Sequence, residues 1–168
     1  SRRVRLDMDY LCLLCEKLAK INDVKFRIKY KTNESVTVFG DRIIRVVQDI
    51  DENSRIRSYR LSESMWTEAI QRVLDFARIP ARISEIASIF DQDEDSDHGM
   101  AVQFVEELIE TQFLRPELWP IVSGCDPLVD LIDQLENAGC IAQSTALKAV
   151  RDKLSAIESE PLGVDLRR

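Results

Sequence analysis

Residues 36–48 read Val36-Thr-Val-Phe-Gly-Asp-Arg-Ile-Ile-Arg-Val-Val-Gln48, two β-branched runs on either side of Gly40-Asp41. Val, Ile, Thr and Phe suit a pleated, half-buried surface, and Gly supplies the positive φ that a two-residue hairpin turn requires. The segment predicts a hairpin with strands over 36–39 and 43–48. After the polar break at 51–54, residues 55–61 (RIRSYRL) resume a period of two. Arg55, Arg57, Tyr59 and Leu61 fall on one face of this strand, and Ile56, Ser58 and Arg60 on the other. Three consecutive strands punctuated by Gly, Asn and Asp make a small antiparallel meander.

On the N-terminal side, Tyr10, Leu11, Leu14, Leu18 and Ile21 recur at helical spacing over residues 8–21. Asp7 stands in the N-cap position, where its carboxylate can accept an orphan backbone N–H. Between that helix and the meander, Val24, Phe26, Ile28 and Tyr30 alternate with Lys25, Arg27, Lys29 and Lys31. This alternation predicts a half-buried strand with one basic face.

On the C-terminal side the pattern is helical. Ser62 or Ser64 caps an expected helix carrying Met65, Trp66, Ala69, Ile70, Val73, Leu74 and Ala77, which ends before Pro80. A short helix over 82–90 and a longer one over 98–112 follow, the latter bearing Ala101, Phe104, Val105, Leu108 and Ile109. Asp126-Pro127 is an N-cap with a first-turn proline, opening a helix that stops at Gly139. A last helix is expected over 145–157, and the tail 161–168 reads as extended. The fold class is α+β: a three-stranded antiparallel meander with winged helix-turn-helix helices, flanked by additional helices.

The chain has 168 residues, 45% hydrophobic and 32% charged, and a formal charge of −7. That is the composition of a globular protein with a real core. No apolar run approaches the ~20 residues of a membrane span, and no secretory signal opens the chain. The start at Ser1-Arg-Arg reads as a fragment cut from a longer protein. The acidic balance argues against DNA, and residues 98–111 contain no Lys or Arg while offering Glu106, Glu107 and Glu110. A winged-helix DNA-binding transcriptional regulator is therefore the alternative, not the first reading.

Candidate chemistry is sparse. Asp91, Asp93 and Asp95 occupy the positions of the first three ligands of a calcium loop. Ser96 stands where the loop needs Gly, and Val102 where it needs a bidentate Glu, so no metal site is expected. Asp97 reads instead as the N-cap of the next helix. Cys12 and Cys15 have CxxC spacing, but they lie inside a helical pattern, with Cys125 and Cys140 far apart. All four read as reduced structural thiols. His98 is the lone histidine, and no phosphate-loop or dinucleotide fingerprint occurs.

The meander has an edge. If 55–61 is its last strand, one side is unpaired, and the 98–112 helix can form the other wall of a groove for an extended peptide. Arg55, Arg57 and Arg60 would favour an acidic one. An equal reading makes these arginines edge-protecting charges beside a closed groove.

Five stretches in order resemble the N-terminal half of class I lanthipeptide (lantibiotic) dehydratases. They are RLDMDYL at 5–11, VFGDRIIRV at 38–46, IRSYRLSESMWTEAIQRVLDFA at 56–77, FVEELIETQFLRPELWPIVSGCDPLVDLIDQLE at 104–136 and GVDLRR at 163–168. The resemblance implies part of a large cytoplasmic enzyme that glutamylates Ser and Thr of a precursor peptide and then eliminates glutamate. Its co-substrate would be glutamyl-tRNA, with no bound cofactor, no DNA partner and no membrane span, and with room for a homodimer of the parent. It implies that residues 36–113 are a winged helix-turn-helix leader-peptide recognition element. Residues 1–35 and 114–168 would belong to the surrounding glutamylation domain. The leader peptide would add a strand along Arg55, Arg57, Tyr59 and Leu61 and pack on Phe104, Val105 and Leu108. Asp7, in the Arg5-Leu6-Asp7-Met8 segment, is the one candidate for a catalytic role, beside its reading as a cap. The piece alone is expected to bind leader peptide without dehydrating it.

Overall fold

The computed structural model describes residues 5–50, 57–92, 97–120 and 126–159. The chain divides into two compact units, Lys29–Glu117 and the pair of segments Ser1–Ile28 with Leu118–Arg168.

The unit built from the two ends is helical. Helix α1 (Met8–Ala19) starts where Asp7 Oδ1 accepts from the N–H groups of Asp9 and Tyr10, at 2.8 and 3.4 Å. It buries Leu11, Cys12, Cys15 and Leu18. A short helix α2 (Asn22–Lys25) follows, and this corrects the strand expected across 24–30. Val24 and Ile28 are buried, but they are bridged by an i to i+4 hydrogen bond of 3.0 Å, and Phe26 between them is exposed. Every second apolar residue at spacing four satisfies a helical turn as well as a strand.

Helix α6 (Pro127–Asn137) is capped by Asp126, whose Oδ1 accepts from Leu128 N–H at 3.0 Å. It ends at Gly139, φ +77°, with Gly139 N–H donating to Glu136 O and Cys140 N–H to Leu135 O. That is a Schellman stop with glycine in the left-handed position. Helix α7 (Ile141–Ser159) follows at once. Cys12, Cys15 and Cys140 are buried free thiols. Burial, then the neighbouring Cys12 and Glu16, pushes the Cys15 thiol up to about 12, so it is protonated and unreactive at neutral pH. Cys125 lies outside the described residues.

The other unit carries the sheet. Its ends are tied by β1 (Tyr30–Thr32) pairing antiparallel with β5 (Leu114–Pro116). Between them β2 (Thr37–Phe39), β3 (Arg42–Ile50) and β4 (Arg57–Met65) form a three-stranded antiparallel sheet in the order β2-β3-β4. Gly40, φ +62°, and Asp41 make the two-residue turn between Phe39 and Arg42. Strand β4 runs four residues further than its sequence suggests, because its ladder with β3 continues to the Arg42–Met65 pair. Ser62 and Ser64 are therefore strand residues, and the cap of helix α3 (Glu68–Phe76) is Thr67, whose Oγ1 accepts from Ile70 N–H at 3.2 Å.

Helix α4 (Ile83–Ala87), a 3₁₀ turn at Ser88–Phe90 and helix α5 (His98–Glu110) complete the unit. Asp97 caps α5 by accepting from Gly99 N–H at 3.0 Å. The core here comprises Ile43 and Val47 from the sheet, Val73 and Leu74 from α3, Ile83 and Ile86 from α4, and Ala101, Val105 and Leu108 from α5.

Candidate peptide-binding edge

Strand β4 is the last strand of its sheet, and among the described residues β3 is the one strand that pairs with it. Residues opposite one another in an antiparallel pair share a face. Ile43, Arg45 and Val47 of β3 are buried, so their partners Ser64, Ser62 and Arg60 belong to the inner face. Arg57, Tyr59, Leu61, Glu63 and Met65 lie on the outer face, opposite Ile50, Gln48, Val46, Ile44 and Arg42. Tyr59 is 62% exposed, Leu61 74% and Met65 64%. Large apolar side chains in a row on an unpaired strand are what native edges ordinarily avoid.

The charges on this strand are largely spent locally. Arg60 Nε donates to Asp49 Oδ2 at 2.8 Å, and Arg42 pairs with Glu63. Arg57 is half-buried at the end of the ladder. Arg55 lies outside the described residues. A preference for an acidic peptide is thus not written into Arg60, whose guanidinium already faces a carboxylate.

On the helix side, Val105 is 0% exposed and Leu108 4%, both in the core of this unit. Phe104 is half-buried and sits edge-to-face on Phe90, with ring centroids 5.9 Å apart. The apolar stripe of α5 is spent on its own unit, as an amphipathic helix spends it in the absence of any ligand.

The opposite edge of β3 is finished without a strand. Beyond the short β2, Val46 N–H donates to Ser35 Oγ at 3.0 Å, and Val46 O accepts from Asn33 Nδ2 at 3.2 Å. Gln48 N–H donates to Gln112 Oε1 at 2.9 Å, and Gln112 Nε2 donates back to Gln48 O at 2.7 Å. Asn33 also donates to Gln112 O at 2.8 Å and accepts from Ser35 N–H and Oγ–H. The side chains of Asn33, Ser35 and Gln112 occupy the place of a fourth strand.

Gln112 does this from an unusual backbone. It stands at φ +60°, the one non-glycine with positive φ among the described residues. Its N–H donates to Ile109 O and that of Phe113 to Leu108 O, so it fills the left-handed position of a Schellman stop to α5. Glycine is the usual occupant, and only a longer side chain could also clamp Gln48. Neither Asn33 nor Gln112 stands out in the sequence; the one available signal is that 112 follows a helix without a glycine stop.

Arg45 anchors the same region. It is 5% exposed, with Nε donating to Thr111 O and Nη1 to Ser64 Oγ, both at 2.8 Å, and its guanidinium stacked 3.8 Å from the Phe113 ring centroid. Burial, then the charge of Arg60, lowers its pKa from the usual arginine range, while the guanidinium stays protonated. Its charge faces the C-terminal carbonyl end of α5, where a cation is favoured. Asp7 is exposed and occupied as the cap of α1. Among the described residues no cluster of His, Cys, Asp or Glu could hold a metal ion, and no helix is long and apolar enough to cross a membrane.

These elements define an α+β segment in which side chains close β3 beyond the end of β2, while β4 has no second partner strand among the described residues. The chain belongs to the lantibiotic dehydratase N-terminus family, whose model matches residues 1–168. Its fold is similar to that of the tRNA-dependent lantibiotic dehydratase MibB from Microbispora sp. 107891, with a TM-score of 0.69 at 20% identity. The match covers 92% of this chain and 16% of that one, so the chain corresponds to a small part of that enzyme's length. No match was found among curated proteins.

Proposed function

We propose that the unit Lys29–Glu117 is the leader-peptide recognition element of a lantibiotic dehydratase, a winged helix-turn-helix in which β4 receives the peptide as an added strand. The observation that carries this reading is the outer side of β4, with no second partner strand among the described residues and with Tyr59 and Leu61 exposed. Backbone hydrogen bonds along a strand edge supply affinity, and alternate side chains supply register. The parent enzyme then works in the cytoplasm on Ser and Thr of the bound precursor. Glutamate is transferred from glutamyl-tRNA to the side-chain oxygen, and the new ester is lost as free glutamate when the α-proton is removed. Asp7 is the candidate residue of the glutamylation site within this chain, held at the start of α1 by its own capping bonds. A DNA-binding regulator fits less well, because α5 carries Glu106, Glu107 and Glu110 and no Lys or Arg, and carboxylates are repelled by phosphate.

The test is a fluorescence titration of the labelled leader peptide encoded beside this gene, using the 168-residue chain. Saturable binding is expected, weakened at least about tenfold by the double substitution Tyr59→Ser/Leu61→Ser, because exposed aromatic and aliphatic anchors dominate such contacts. Undiminished binding to the folded double variant would move the site elsewhere. Salt-sensitive binding to duplex DNA, with none to the peptide, would reinstate the regulator.

A further inference from the structure

Strand β3 is apolar on both of its faces. Ile43 and Val47 fill the core on the inner side, while Ile44 and Val46 lie half-buried on the outer side. A strand with one packed and one wet face alternates apolar with polar residues. Adjacent apolar doublets such as Ile43-Ile44 and Val46-Val47 belong to strands covered on both faces. The neighbouring strands continue the outer surface. Phe39 of β2, 76% exposed, faces Arg42 across the ladder, and Met65 of β4 faces the same Arg42 from the other side. Phe39 and Met65 stand exposed with every described residue of the chain in place.

Resting on the reading of this chain as part of a lantibiotic dehydratase, we infer that the flat outer face of the sheet seats one amphipathic helix from the rest of the same enzyme. The dimensions select the occupant. Near Gly40 three strands lie side by side, about 10 Å across, which is the diameter of one helix. The β3–β4 ladder has nine residue pairs. At about 3.3 Å per residue it runs for about 27 Å, the length of about 18 helical residues. The footprint of about 300 Å² falls well short of the about 800 Å² that each partner of a stable complex buries. A second copy or a separate protein would need more surface than this. A segment of the same polypeptide does not, because the connecting chain holds it at high local concentration. The shared fold covers only 16% of the MibB chain, so in that enzyme it is one piece of a much longer polypeptide. Arg42 and Glu63 pair with each other on the face and leave no net charge to match. The seated side of the helix is therefore apolar, with Leu, Ile, Val or Phe at i, i+3 or i+4, and i+7.

Peroxide oxidation of Met65, read by peptide mass spectrometry, tests this without any substitution. In the 168-residue chain Met65 is expected to oxidise as fast as the equally exposed Met100. In the complete enzyme its rate should fall at least about tenfold. A benzophenone photo-crosslinker installed at Phe39 should then join, within one polypeptide, to an apolar helix face outside residues 1–168. Equal oxidation of Met65 in both proteins would overturn the inference. So would a crosslink to a second chain, or protection of Met65 in the 168-residue chain that grows with its concentration. Leader-peptide titration of the same samples keeps the two readings apart. An open face with intact peptide binding sinks only the helix, whereas loss of peptide binding as well sinks the dehydratase reading on which it rests.

Discussion

Two stretches of one small sheet, β3 beyond the end of β2 and the outer side of β4, are treated in opposite ways. On β3, past the end of β2, each exposed polar group at Val46 and Gln48 is met by a side chain from Asn33, Ser35 or Gln112. On β4, nine residues long, no described strand lies beside the outer side, and Tyr59 and Leu61 stand exposed. An uncovered edge is an aggregation hazard that proteins usually blunt with charge, proline or a covering segment. Here a polar network takes the place of a strand along β3 beyond β2, and nothing comparable lines β4 among the described residues.

The largest effect is expected where the seal is densest. Asn33 is buried, and its side chain makes four hydrogen bonds, two as donor and two as acceptor. Asn33→Ala strands the carbonyls of Val46 and Gln112 and the Ser35 N–H, and should cost about 3 kcal/mol. Urea unfolding should show a lowered midpoint with an unchanged slope. A loss below about 1 kcal/mol would mean that water replaces the network, and the edge would then be solvated instead of sealed.

Gln112 allows the seal to be separated from backbone strain. Helix α6 ends on the same stop with Gly139 at φ +77°, whereas α5 ends on Gln112 at φ +60°. Gln112→Ala keeps the left-handed strain and loses the clamp on Gln48, at a cost of about 2 kcal/mol. Gln112→Gly loses the clamp but relaxes the backbone, and should be about 1 kcal/mol more stable than the alanine variant. If Gln112→Gly equals the wild type in thermal unfolding, the clamp adds no stability beyond what the strain removes.

Much of this architecture can be read from side chains alone, and the rest could not be. The Gly40-Asp41 turn, the caps at Asp7, Asp97 and Asp126, and the stop at Gly139 are local chemistry, legible because each depends on one or two neighbouring residues. The stretch 24–30 misleads because Val24 and Ile28 serve a helical turn as well as a strand. The extension of β4 through Ser62 and Ser64 depends on pairing with β3, which no local signal encodes. Asn33 and Gln112 act across 13 to 79 residues of chain, as ordinary polar residues with no motif. At the candidate site, the exposed face of Tyr59 and Leu61 follows from alternation, but the placement of Val105 and Leu108 in the core does not. A helical stripe says which face is apolar and is silent on what covers it.

The smallest change in stability should come from the open edge, and it is the most diagnostic. Leu61 is three-quarters exposed on the outer face, opposite the half-buried Val46. A side chain that buries little area on folding contributes little to it, so Leu61→Ser should alter unfolding by no more than about 0.5 kcal/mol. The same change should improve solubility by shrinking an apolar row on an unpaired strand. Near-neutral stability combined with lost peptide binding would identify Leu61 as a residue kept for a partner. A cost above about 1.5 kcal/mol would instead mean that Leu61 is packed in solution and that the outer side of β4 is covered, so that it no longer contrasts with β3 beyond β2.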